Sequence, residues 1–95
     1  MEEDALSRYR IALSCDGVPA DAGAKAAAEI TEEFTHRPWH ENVECTWNGA
    51  SLTLIAENDF DAQGLSLIDE FSDAISVYIA GGFDGDIRVV SITKF

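Results

Sequence analysis

The fold is decided by the stretch VECTWNGASLTLIAE, residues 43–57. On either side of Asn48-Gly49, apolar and polar residues alternate one by one, which is typical of strands with one buried face. Asn-Gly between two such runs predicts a β-hairpin, because a type I′ turn requires positive φ at both of its central residues. Residues 43–57 therefore predict two neighbouring antiparallel strands.

The same alternation predicts a first strand over Tyr9 to Asp16. A stretch rich in β-branched residues, Ile87 to Phe95, predicts a closing strand. Between the first strand and the hairpin, apolar residues recur at helical spacing and predict a helix from Pro19 to Arg37, which Pro38 ends. One helix is therefore expected to connect the first strand to the hairpin.

A second helix is predicted after Asp61, whose carboxylate can cap its first turn while Phe60 packs on Leu65 as a hydrophobic staple. Gly81 and Gly82 are expected to end this helix, before a turn at residues 84–86. Its inward-facing residues are predicted at helical spacing: Leu65, Ile68, Phe71, Ile75 and Ile79.

The element order is thus β-α-β-β-α-β in a chain of 95 residues, which is short enough for a single core. This order favours an α+β, ferredoxin-like sandwich: a four-stranded antiparallel sheet in the spatial order 4-1-3-2, with both helices on one face. We expect residues 1–7 to be a disordered tail and residues 8–95 to form one domain.

The charge balance bears on possible partners. Eighteen acidic and six basic residues give a formal charge of −12, which repels nucleic acid and anionic membranes alike. No apolar run approaches a membrane span, and the acidic start of the chain is unlike a secretory signal, so a cytoplasmic protein is expected. Acidic residues coat both predicted helices: Glu29, Glu32 and Glu33 on the first, and Asp69, Glu70 and Asp73 on the second. Three interpretations stay open: a solvated face, adaptation to high salt, or a surface that docks on a basic partner, as in an immunity or inhibitor protein.

With both helices on one face, the other face of the sheet is left open for a partner. Ala12, Ile55, Val90 and Ile92 are predicted to form its apolar centre. Because a buried unpaired cation is costly, Arg88 and Lys94 are taken to face outward together with Val90 and Ile92. Basic residues then flank the centre on one side and acidic residues on the other, so that two copies are complementary about a two-fold axis. The predicted binding residues are Arg10, Ala12, Glu44, Ile55, Glu57, Arg88, Val90, Ile92 and Lys94.

The sequence contains no G-x-S-x-G, P-loop or Rossmann fingerprint, and no catalytic pair of acids stands out, so no enzyme, cofactor or metal is expected. Cys15 and Cys45 are predicted to be free buried thiols on strands too far apart for a disulfide. A calcium-loop pattern begins at Asp59, but a strand rather than a helix leads into it. The favoured function is a non-enzymatic interaction module that forms a homodimer or binds another protein. The alternative is a small-ligand or metal-ion binder, at the open sheet or at the loop after strand three.

Overall fold

A computed structural model of the chain describes residues 8–79 and 86–95. The elements are β1 (Tyr9–Asp16), α1 (Ala20–Phe34), β2 (Glu41–Trp47), β3 (Ser51–Asn58), α2 (Leu65–Tyr78) and β4 (Ile87–Lys94). The four strands form one antiparallel sheet in the order β2-β3-β1-β4, which is the predicted order viewed from the other edge. The α+β class and the strand order are therefore confirmed. The predicted tail at residues 1–7, the predicted helix end at Gly81 and Gly82, and most of the turn at 84–86 lie outside the described residues.

The core lies between one face of the sheet and the two helices. Ile11, Leu13 and Cys15 of β1 are completely buried, and so are Leu52 and Leu54 of β3. Side chains of both helices belong to the same buried cluster: Ala26, Ala27, Ile30 and Phe34 from α1, and Leu67, Phe71, Ala74 and Ile75 from α2. The alternation read from the sequence thus assigns the buried face of β1 and β3 correctly.

The hairpin between β2 and β3 forms, but its turn differs from the predicted type I′. Only Gly49 has positive φ, at 99°, and three residues separate the strands. The Oδ1 atom of Asn48 accepts hydrogen bonds from the N–H groups of Ala50 and Ser51, at 2.9 and 2.7 Å. Hydrogen bonds to the Asn48 side chain therefore close this turn, and a second residue with positive φ is not needed.

In α2, the predicted inward position of Leu65 is wrong, because Leu65 is 62% exposed. At 100° per residue, Leu65 lies roughly 120° around the helix from Phe71, at the centre of the buried stripe. Leu67 takes the inward position of the first turn instead. The Asp61 carboxylate accepts hydrogen bonds from the N–H groups of Ser66 and Leu67, at 3.1 and 2.9 Å, and so caps the first turn as predicted.

A glycine of α1, Gly23, contacts the indole of Trp47 in β2. A Cβ atom at Gly23 would lie 2.2 Å from Cδ2 of Trp47, so only glycine leaves room for the indole. Trp47 therefore packs against α1 and the core. α1 is shorter than predicted, ending at Phe34, and Arg37 follows in a turn.

Candidate functional site

The open face of the sheet lies on the side away from the helices. Its apolar centre is small, since Ala12 lies opposite Ile55 and both side chains are half-buried. Glu44 lies on the other side of Ile55. The register gives the rest of this face to hydroxyl and charged side chains: Arg10, Ser14, Asp16, Thr46, Ser51, Thr53, Glu57, Arg88, Ser91 and Thr93. Of the nine predicted binding residues, six lie on this face: Arg10, Ala12, Glu44, Ile55, Glu57 and Arg88.

The charged residues of the open face are paired with one another within the chain. Arg10 Nη2 lies 2.9 Å from Oε2 of Glu57, and Asn42 donates a hydrogen bond of 2.8 Å to Oε1 of the same carboxylate. The Asn42 hydrogen bond and the Arg10 guanidinium hold the pKa of Glu57 below its usual range. Arg88 Nε lies 3.3 Å from Oδ2 of Asp16. These charges are therefore satisfied before any partner approaches.

β4 contains a β-bulge that its sequence pattern does not predict. Ala12 pairs with Ser91, but the next residue of β1, Leu13, pairs with Val89, so Val90 is an extra residue in β4. Because side chains in a strand alternate between faces, an inserted residue exchanges the faces of all residues that follow it. Even-numbered residues of β4 consequently face the open side before Val90, and odd-numbered residues face it after Val90.

The bulge overturns the predicted placement of Ile92 and Lys94 on the open face. Ile92 pairs with Ile11 and packs against the buried core, and Lys94 pairs with Tyr9, so both fall on the helix-bearing face. Unbroken alternation would put Arg88 and Lys94 on the same face, but the bulge between them puts these two cations on opposite faces. The apolar centre of the open face therefore lacks Ile92.

Exposed apolar side chains lie instead along β4. Val89 is 41% exposed, Val90 52% and Phe95 55%. Leu65 is also exposed, and its neighbour Gly64 lies beside β4, since a Cβ atom there would be 3.9 Å from Cγ2 of Val89. We call Leu65, Val89, Val90 and Phe95 the β4 margin. Val89 pairs with Leu13 and so lies on the helix-bearing face, whereas the Phe95 ring lies beneath the Arg10 guanidinium on the open face. The margin therefore presents exposed apolar side chains on both sides of the edge strand, which is typical of an interaction surface.

A buried polar cluster centred on His40 joins the end of β3 to α2. The His40 side chain has no solvent exposure, and its ring lies 5.9 Å from that of Phe60, nearly parallel to it. Nε2 lies 3.2 Å from Oε2 of Glu70, and Nδ1 lies 3.2 Å from Nδ2 of Asn58. Phe60, predicted to pack on Leu65, thus stacks on this histidine.

The orientation of the Asn58 amide determines the tautomer of His40. Asn58 Oδ1 accepts hydrogen bonds from the N–H groups of Phe60 and Asp61, so its NH₂ group is left to donate to Nδ1 of His40. Nδ1 of His40 is then the hydrogen-bond acceptor, and Nε2 donates to Glu70. Both ring nitrogens are engaged and the ring is buried, so this cluster links Asn58 at the end of β3 to Glu70 of α2.

A half-open cavity of about 190 Å³ lies beside this cluster, at the end of α1. Arg37 lines it, and its Nε atom is buried without a hydrogen-bond partner in the part of the chain that the structure describes. The guanidinium is already paired with Glu33, at 3.2 Å, and with Glu70, at 3.1 Å. The two carboxylates neutralise the charge that would attract an anion, so nothing in the cavity selects a ligand class.

The cysteines and the loop after β3 complete the candidates from the sequence. Cys15 and Cys45 are free and buried, as predicted. Burial raises the pKa of Cys15 and raises that of Cys45 to about 12. Within residues 8–79 and 86–95, no three His, Cys, Asp or Glu side chains lie together so as to hold a metal ion. Both oxygens of Asp61 bind backbone N–H groups.

Comparison of the chain with known protein families, with curated proteins and with solved structures found no significant match. Neither of the two described helices is long and apolar enough to cross a membrane. The architecture and the surfaces described above are therefore the basis of the functional argument.

Proposed function

We propose that this chain is a ferredoxin-like, non-enzymatic interaction module whose binding surface is the β4 margin and whose partner is a second copy of the same chain. The observation that carries the proposal is the exposure of Val89, Val90 and Phe95 on one edge strand, beside exposed Leu65. Burying large apolar side chains lowers the free energy of the complex by about 25 cal/mol for each Å² of apolar area removed from water. This gain drives association.

Electrostatics favour a two-fold meeting at this edge. Two copies that each carry a charge of −12 repel one another, and the repulsion is weakest where acidic residues are fewest. The segment from Ile87 to Phe95 has two cations, Arg88 and Lys94, and no acidic residue. By contrast, the acidic residues of the helices lie away from β4 in sequence: Asp21, Glu29, Glu32 and Glu33 on α1, and Asp69, Glu70 and Asp73 on α2.

The proposal moves the surface expected from the sequence from the centre of the open face to its β4 edge. Val90 belongs to both surfaces, whereas Ala12 and Ile55 are half-buried between paired charges. A C₂ dimer remains the expected assembly, since this is the commonest oligomeric symmetry.

Sedimentation equilibrium from micromolar to near-millimolar protein tests the proposal. We expect the wild type to dimerise and Val90→Lys to remain monomeric, because each copy then carries a cation where the β4 margin would bury an apolar side chain. Val77→Lys is the matched control: Val77 is 73% exposed on α2, so this variant should dimerise like the wild type. A wild type that is monomeric throughout, or a Val90→Lys variant that dimerises as tightly, would contradict the proposal. Circular dichroism checks that both variants fold.

A further inference from the structure

The two edges of the sheet are not equivalent, because α1 closes one of them. At β2, the hydroxyl of Thr31 accepts a hydrogen bond of 3.0 Å from the N–H of Cys45 and lies 3.3 Å from the carbonyl oxygen of the same residue. A bulge between Glu41 and Glu44, with Asn42 at φ 51°, further disrupts this edge. Side chains and bulges of this kind prevent a further strand from pairing. The β2 edge is therefore protected.

The backbone groups on the outer edge of β4 can be identified from the β1–β4 ladder. Arg8 and Phe95 exchange both of their backbone hydrogen bonds, at 2.9 and 2.8 Å. Bonded and non-bonded pairs alternate in an antiparallel ladder, so Thr93 is bonded to β1 while Ile92 and Lys94 are not. The N–H and C=O groups of Ile92 and Lys94 therefore point away from β1. Among the described residues, neither has a partner for these groups.

We infer that the second copy binds by adding its own β4 to this edge, so that two four-stranded sheets become one continuous sheet of eight strands. The inference rests on the proposed function: the backbones pair from Ile92 to Lys94, and the exposed side chains of the β4 margin flank the paired segment. β4 contains no Pro or Gly, and five of its eight residues, Ile87, Val89, Val90, Ile92 and Thr93, are β-branched, as suits a pairing strand. Main-chain pairing at an exposed sheet edge is an established mode of protein association.

The bulge and the charges select the register of the added strand. Because Val90 interrupts the regular edge, pairing is confined to the residues that follow it. Outward-pointing groups must face one another, which places Ile92 opposite Lys94 of the second copy and the two-fold axis at Thr93. This register forms four backbone hydrogen bonds between the copies. It also keeps the two Lys94 side chains from lying directly opposite each other, which would be destabilising.

Amide hydrogen exchange measured by NMR over a concentration series tests this inference. As the dimer fraction rises, exchange at the Ile92 and Lys94 amides should slow towards that of Thr93, whose bond to β1 makes it an internal reference. In dilute solution these two amides should exchange without protection while Thr93 stays protected.

A proline variant supplies a second, independent measurement. Lys94→Pro removes an N–H that makes no bond to β1, so the fold is expected to tolerate it. Lys94→Ala is the matched control, because it removes the side chain and keeps the N–H. We expect Lys94→Pro to raise the dissociation constant of the dimer about tenfold or more relative to Lys94→Ala, since each dimer loses two hydrogen bonds.

The outcomes separate this inference from the proposed function. If the wild type dimerises and Val90→Lys does not, the β4 margin is the interface. If the Ile92 and Lys94 amides then exchange at the same rate at every concentration, and the proline and alanine variants dimerise alike, strand addition is overturned while the interface stands. A wild type that never dimerises overturns both.

Discussion

Replacing Thr31 with valine tests the account of the protected β2 edge. Valine is close to threonine in shape but has no hydroxyl, so the N–H of Cys45 loses its partner at 3.0 Å inside a buried segment. Leaving a buried donor unsatisfied costs about 1–3 kcal/mol. The hydroxyl also lies 2.9 Å from the carbonyl oxygen of Ala27, which keeps its helical hydrogen bonding in the variant. We therefore expect Thr31→Val to lower the free energy of unfolding by about 1–3 kcal/mol.

The measurement is urea denaturation followed by tryptophan fluorescence, with thermal melting alongside it. In a domain of this size, each kcal/mol corresponds to a fall in Tm of about 4–8 °C. Thr53→Val is the control, because Thr53 is half-buried on the open face and its hydroxyl has no hydrogen-bond partner among the described residues. A loss in Thr31→Val no larger than the loss in Thr53→Val would refute the reasoning. An unchanged m-value would show that the unfolded states are comparable.

Three further predictions concern packing, thiols and pH. Gly23→Ala should destabilise the fold despite the higher helix propensity of alanine, because its Cβ would lie 2.2 Å from the indole of Trp47. In a double-mutant cycle measured by urea denaturation, Trp47→Leu should relieve much of that loss. Cys15 and Cys45, whose thiol pKa values are raised, should react with a disulfide reagent at pH 8 only after denaturant is added, and rapid labelling of native protein would contradict their burial. The pKa of Glu57 is lower in the folded state than its ordinary value of 4.5, so its contribution to stability is present above pH 4.5 and is lost as the pH falls through the folded value. The urea concentration at half-unfolding should therefore depend less steeply on pH in the acid range for Glu57→Gln than for the wild type. An equally steep dependence would count against the assignment.

Periodicity was sufficient to predict the strands and helices because each element buries one face. Leu52, Leu54 and Ala56 recur at every second position of β3, and the structure buries all three completely. Asn58 continues the same inward series, and a polar residue at such a position needs a buried partner. That signal was available in the sequence and indicates a polar cluster, although the partner, His40, lies in a segment without periodicity.

The bulge in β4 could not be read from the sequence in the same way. Val90 stands in a run of β-branched residues with no Gly or Asn to indicate an irregularity, and Val89 and Val90 fit either face equally well. The extra residue follows from the pairing of β4 with β1, a contact between the two ends of the chain. Local pattern carries no information on such a register, so the faces predicted for Ile92 and Lys94 are the wrong ones.

The phase change at Val90 also supplies a criterion for detecting distant homologues of this fold. In a chain that retains the bulge, the final strand should show one parity of apolar positions in its first three residues and the opposite parity in its last four. In a homologue that has lost the extra residue, apolar residues should occupy positions of one parity throughout the final strand. Aliphatic and polar residues near the carboxyl end of that strand should then have exchanged positions. A one-residue gap at this point of an alignment would then correspond to the presence of the bulge in one chain and its absence in the other.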